Sequence, residues 1–154
     1  MVLMLHEMNE YTRVPKGLCT FDDGLYSQYV YGKDLPNDKI FFICPSFIDK
    51  GHNDLNQQCM SIDNIKELMV MGITIGAHSY YHTKLERLPD LKHQVYHIKR
   101  DTKNMLEWFK DELNITPVDF CFPYNNDLKG LYQGLMKLHG FTNFYGASRV
   151  DIPA

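Results

Sequence analysis

The sequence lacks any CxxC pair or finger-like spacing among its four cysteines, Cys19, Cys44, Cys59 and Cys121. That excludes a structural zinc finger and reads as four thiols in a reducing compartment. It also lacks an apolar run of about 18 residues, so no membrane-spanning helix is expected. The opening stretch, MVLMLHEMNE, has no basic region, and its apolar run VLML is too short for the core of a signal peptide. Positive charge is not in excess: 16 Lys and Arg against 19 Asp and Glu give a net charge of −3, which argues against a nucleic-acid-binding surface. Low-complexity segments and linkers are missing too. These absences predict a single domain over 1–154, in a cytoplasmic protein with no membrane insertion; they leave the oligomeric state open.

What is present is a 44% apolar composition, enough for a sizeable core. Short apolar runs alternate with helical patterns. VLMLHEM (2–8), LCTFDD (18–23), KIFFICPS (39–46), ITIGAHS (73–79), VDFCFPY (118–124) and FTNFYGAS (141–148) read as strands. SIDNIKELMVMG (61–72) reads as a helix with Ser61 as its cap and Gly72 at its end. A long helix over about 90–113 carries Leu91, Val95, Ile98, Met105, Leu106, Phe109 and Leu113 on one face, and another covers about 127–138. Such alternation implies an α/β fold, a mostly parallel sheet or barrel, in which ligands sit at the C-terminal ends of strands. The unusual polar residues follow that rule: His6, Asp22 with Asp23, His78, and Pro123 with Tyr124 each end a strand run.

The HSYYH segment places His78 and His82 four apart, so a helix or tight turn would aim both imidazoles to one side. Two imidazoles and one carboxylate make a three-ligand site with positions open for water. The same spacing at His93 and His97 lies among Lys92, Lys99 and Arg100 and reads as a solvated helix face. In CTFDDGLY the neighbouring carboxylates repel each other, and a cation offsets that repulsion: one can bind the metal while the other takes a proton from water. Taken alone, an Asp-Gly step is an ordinary turn signal. The tyrosines near strand ends, Tyr26, Tyr80, Tyr81, Tyr124 and Tyr145, could stack sugar rings or simply pack the rim.

TFDDG (20–24), HSYYH (78–82) and FCFPY (120–124), in this order, resemble the polysaccharide deacetylase family, the NodB-homology group also called carbohydrate esterase family four. The likeness runs from about residue 2 to 148. It implies a distorted, incomplete (β/α) barrel, shorter than usual, and hydrolysis of an N-acetyl, less often O-acetyl, group on a sugar. It implies Asp22 as general base, Asp23, His78 and His82 as metal ligands, and Pro123 and Tyr124 as groove residues, with the Tyr124 backbone N–H helping to hold an oxyanion. The implied cofactor is a divalent metal, Zn²⁺ first with Ni²⁺ or Co²⁺ as alternatives, and the implied partner is an N-acetylated carbohydrate. The absence of an export signal would favour an intracellular sugar precursor. Two departures stand out. Cys121 occupies the place of an arginine that in many members orients the catalytic aspartate. A late Leu-x-His, whose histidine is the general acid in many members, is missing: the one later histidine, His139, reads as a helix-end charge partner, so His6 is the candidate acid. The chain is also shorter than the family usually runs, so its closing elements look trimmed. Hydrolysis of another small amide, or an inactive sugar- or metal-binding relative, are the alternative readings.

Overall fold

A computed structural model describes the whole chain, Met1–Ala154. Seven strands form one sheet: β1 (Val2–Leu5), β2 (Leu18–Phe21), β3 (Lys39–Ile43), β4 (Thr74–Ala77), β5 (Asp119–Cys121), β6 (Asn143–Tyr145) and β7 (Val150–Ile152). Their order is β6-β5-β4-β3-β2-β1-β7, with every neighbouring pair parallel. The sheet curls into an incomplete α/β barrel, open between β6 and β7. The helices are α1 (Tyr26–Gly32), α2 (Pro45–Lys50), α3 (Ile62–Val70), α4 (Leu91–Trp108) and α5 (Leu131–Leu138). None is long and apolar enough to cross a membrane.

Period-two alternation sorts each strand's residues between two faces. Cys19 and Phe21 of β2, Phe41 and Ile43 of β3, Ile75 and Ala77 of β4 and Phe120 of β5 join the main core, together with Leu68 of α3 and Ile98 and Met105 of α4. On the other face Leu18, Ile40, Phe42, Cys121 and Tyr145 make a smaller cluster inside the barrel. The interior is tight at Gly76, where a Cβ would stand 2.6 Å from the Phe42 ring and 3.0 Å from the Asp119 carbonyl. A larger residue there would push β4 away from its neighbours.

The expected helix ends are present. Ser61 Oγ accepts the Asn64 N–H while the Asn64 side chain accepts the Ser61 N–H, a reciprocal cap, and Gly72 turns with φ +82°. The long helix starts at Asp90, whose side chain accepts the His93 N–H, and its last turn, Phe109–Leu113, widens to the π form. Three short elements depart from the sequence expectation: α1, α2 and β7 have 7, 6 and 3 residues, too few to show a period. The helix expected from about 127 begins at Leu131, after a tight turn over Leu128–Gly130. The His93–His97 pair also divides: exposed His93 bonds Asp90, whereas His97 is only half-buried surface and turns its Nε2 inward toward Asp101.

Candidate active site

His6, Asp22 and His78 directly follow β1, β2 and β4, and Phe122 follows β5, so parallel pairing gathers them at one end of the barrel. They open on a cleft of about 260 Å³, walled by His6, Asp22, Asp23, His78, His82, Tyr124 and, from the loop after α2, Asn53 to Leu55. Pro123 is buried at the start of a tight turn and is not among the walls; Tyr124 takes that place, half exposed, with its ring 4.5 Å from the His82 ring. His139 follows the end of α5 and does not reach the cleft.

Asp23 Oδ1 stands 3.1 Å from His78 Nε2 and 3.4 Å from His82 Nε2. The ligating atoms of these three residues lie within 4.8 Å of one another. His78 Nδ1 lies 2.9 Å from the Cys121 carbonyl; as a donor to it, the ring keeps the Nε2 lone pair for the centre of the group. Asp23 Oδ1 is buried yet accepts no hydrogen bond, a costly state for a carboxylate oxygen without a cation. Burial pushes the Asp23 carboxyl up, but the neighbouring imidazoles His78, His82 and His6 hold it at about 2. Burial, with the adjacent His78, lowers His82 to about 4, whereas Cys121, Asp23 and Asp22 push His78 well up against its burial, so a cation binding there would displace the His78 Nε2 proton. Two imidazole nitrogens and one carboxylate oxygen converging on a point fit a divalent cation such as zinc, nickel or cobalt. Asp22, His78 and Cys121 also approach one another. In that group Asp22 is held by an arginine, and burial and Asp22 push the Cys121 thiol up, so it is a poor ligand set.

The two histidines meet without a helix. Ser79 and His82 both have positive φ, +63° and +57°, as do Asp23 at +80°, Tyr124 at +58° and Asn125 at +54°. Each such non-glycine residue costs about 1–2 kcal/mol, and this concentration at one cleft marks a site whose shape is imposed by its surroundings.

Asp22 has the partner that the sequence pattern left missing. Arg149, just before β7, places Nη1 2.7 Å from Asp22 Oδ1 and Nη2 2.9 Å from Asp22 Oδ2. The same guanidinium donates to Thr20 Oγ1 inside the barrel and to Asn125 Oδ1, and Nε donates to the Gly146 carbonyl. The pair is almost wholly buried. Cys121, at the expected arginine's position in the chain, has its Sγ 3.6 Å from Asp22 Oδ2, leaving room for the guanidinium to arrive from β7. His6 Nε2 lies 3.7 Å from Asp22 Oδ2, with its side chain 45% exposed to the cleft. Gln28 of α1, fully buried, donates to the carbonyls of both His6 and Asp22 and so ties the two loops together. Sequence reasoning missed Arg149 and Gln28. The available signal was a lone arginine beside a short β-forming run, VDI.

No family model matches the chain, and no curated protein does so either. Solved structures do. IcaB from Ammonifex degensii superposes with a TM-score of 0.72 at 23% identity, over 88% of this chain and 60% of that one. The Streptococcus pyogenes deacetylase PplD, solved in complex with acetate, gives 0.71 at 14% identity, covering 98% of this chain and 91% of that chain. BC0361, a polysaccharide deacetylase from Bacillus cereus, gives 0.67 at 13% identity, over 98% and 64%. The chain therefore has the polysaccharide deacetylase fold, in a form that spans 60% of the IcaB chain's length.

Proposed function

We propose that this chain, built on the polysaccharide deacetylase fold, is a metal-dependent hydrolase that removes an N-acetyl group from a sugar or sugar-containing precursor. The observation that carries the reading is the division of the aspartate pair. Asp23 faces the two imidazoles, and Asp22, one residue away, faces Arg149, His6 and the cleft. Asp23, His78 and His82 would hold a divalent cation, which when bound would supply Lewis acidity to a carbonyl and to water. Asp22, oriented by Arg149, takes a proton from the water that attacks the acyl carbon. The carbon–nitrogen bond then breaks, acetate leaves, and the sugar amine gains a proton, for which His6 at the cleft mouth is the donor. Tyr124, half exposed, forms the wall beside His82 with Lys84 Nζ over its ring, and offers aromatic surface to a sugar.

The direct test is a panel of N-acetylated sugars and nucleotide sugars, assayed for acetate release with zinc, cobalt or nickel added in turn. Release that needs one of these metals and stops with a chelator is the expected result; no release from any substrate under any metal would overturn the reading. Replacing His6 by Ala is expected to lower turnover about 10²-fold or more, while bound metal stays unchanged. An unaltered rate would remove His6 from the mechanism.

A further inference from the structure

We infer that Asp101 of α4 is a positioning residue that holds the His78–His82 loop in the shape that aims both imidazoles at one point. The inference rests on the metal reading of that site. The buried face of α4 runs Ile98, Asp101, Thr102, Met105, so an acidic residue stands where the helical spacing calls for an apolar one. Asp101 is 3% exposed. No lysine or arginine pairs with it, and its one basic partner, His97 Nε2, is 3.9 Å away and makes no hydrogen bond of its own. A buried carboxylate in this state costs several kcal/mol unless it is well bonded.

Its bonds go to one place. Oδ1 accepts the Tyr80 N–H at 2.8 Å and Oδ2 accepts the Tyr81 N–H at 3.1 Å. These are the two central amides of the segment joining His78 to His82. The rest of that segment is pinned as well. The His78 N–H bonds the Ile43 carbonyl, the Tyr80 carbonyl accepts the Ser46 N–H, and the His82 N–H bonds Ser79 Oγ. Asp101 is thus the single side chain that takes both of these amides, and it does so where Ser79 and His82 are held at positive φ. Without it, the turn has two part-buried donors unpaired and the strained residues are free to relax, moving the imidazoles apart. Asp101 touches neither ligand ring nor cleft, so its action passes through the backbone.

Asp101→Asn keeps the side chain's size but offers one acceptor oxygen, setting an NH₂ against an amide N–H. In the 154-residue chain, zinc affinity read by competition with a chromogenic chelator is expected to fall about tenfold or more, the usual cost of losing outer support for metal ligands. Hydrogen exchange on the wild-type chain gives a readout independent of how the variant folds: the Tyr80 and Tyr81 amides are expected to be strongly protected. A variant that melts earlier but binds zinc as tightly as wild type would reduce Asp101 to a packing role and overturn the inference. Wild-type amides at these two positions exchanging at open-chain rates would do the same. A wild-type chain that binds no zinc, cobalt or nickel would instead overturn the metal reading, and protected Tyr80 and Tyr81 amides would still report the clamp.

Discussion

Asp22→Asn is expected to lower acetate release about 10²–10⁴-fold, the range of a lost general base, while leaving the bound metal in place. The substitution preserves shape and removes the ability to accept a proton. The ligand set is untouched because the carboxylate facing His78 and His82 belongs to Asp23. Arg149 loses its charged partner, so this variant is also expected to be less stable, but its bonds to Thr20, Asn125 and the Gly146 carbonyl remain to hold the guanidinium in place. The measurement is kcat on an accepted substrate alongside elemental analysis of the same preparation. A variant that retains metal and releases acetate as fast as wild type would show that the base lies elsewhere. One that loses the metal would show that the two aspartates do not divide their roles in this way.

Arg149→Met is expected to be the most damaging single change outside the ligand set. It leaves Asp22 as an uncompensated buried charge, and breaking such a pair costs about 3–5 kcal/mol, a large share of the stability of an ordinary domain. The midpoint of urea unfolding should fall accordingly. Turnover should also fall in the fraction that remains folded, because the guanidinium fixes both oxygens of the base at 2.7 and 2.9 Å. Arg149→Lys separates the two effects. Lysine restores a charge but not the planar fork that serves two carboxylate oxygens, Thr20 and Asn125 together. It is therefore expected to recover most of the stability and little of the turnover, with the loss in kcat rather than KM. Full activity in the lysine variant would mean that charge alone is required, and wild-type stability in the methionine variant would mean that the pair contributes nothing to the fold.

Much of this architecture was legible in the chain. The runs KIFFI, LCTF and TIGA are strands because their residues suit a buried pleated surface, and polar residues that end such runs in parallel α/β folds fall at one edge. The spacing of His78 and His82 and the doubled aspartate were visible as types and intervals. The closing strand was not, because three residues carry no period and its partner is the first strand of the chain. Asp101 was hidden for another reason. It sits in a helix whose apolar spacing is satisfied by residues on either side of it, so one acidic side chain on the buried face reads as noise until the loop it bonds is known.

The sequence by itself determined the repeating strand and helix pattern, the end of the sheet at which the unusual polar residues gather, and the candidate metal ligands, since each depends on composition and spacing over a few residues. Only the tertiary structure decided how those candidate ligands are held and which residue steadies Asp22. Asp22 and Arg149 are 127 positions apart, and Tyr80 and Asp101 are 21 apart. No local rule links residues so separated. Parallel pairing of β7 beside β1, and the packing of α4 against the sheet, bring them within hydrogen-bonding distance. The arginine absent from the FCFPY segment is therefore absent from one stretch of chain but present in the barrel, because the turn before β7 brings the Arg149 guanidinium to Asp22 beside Cys121.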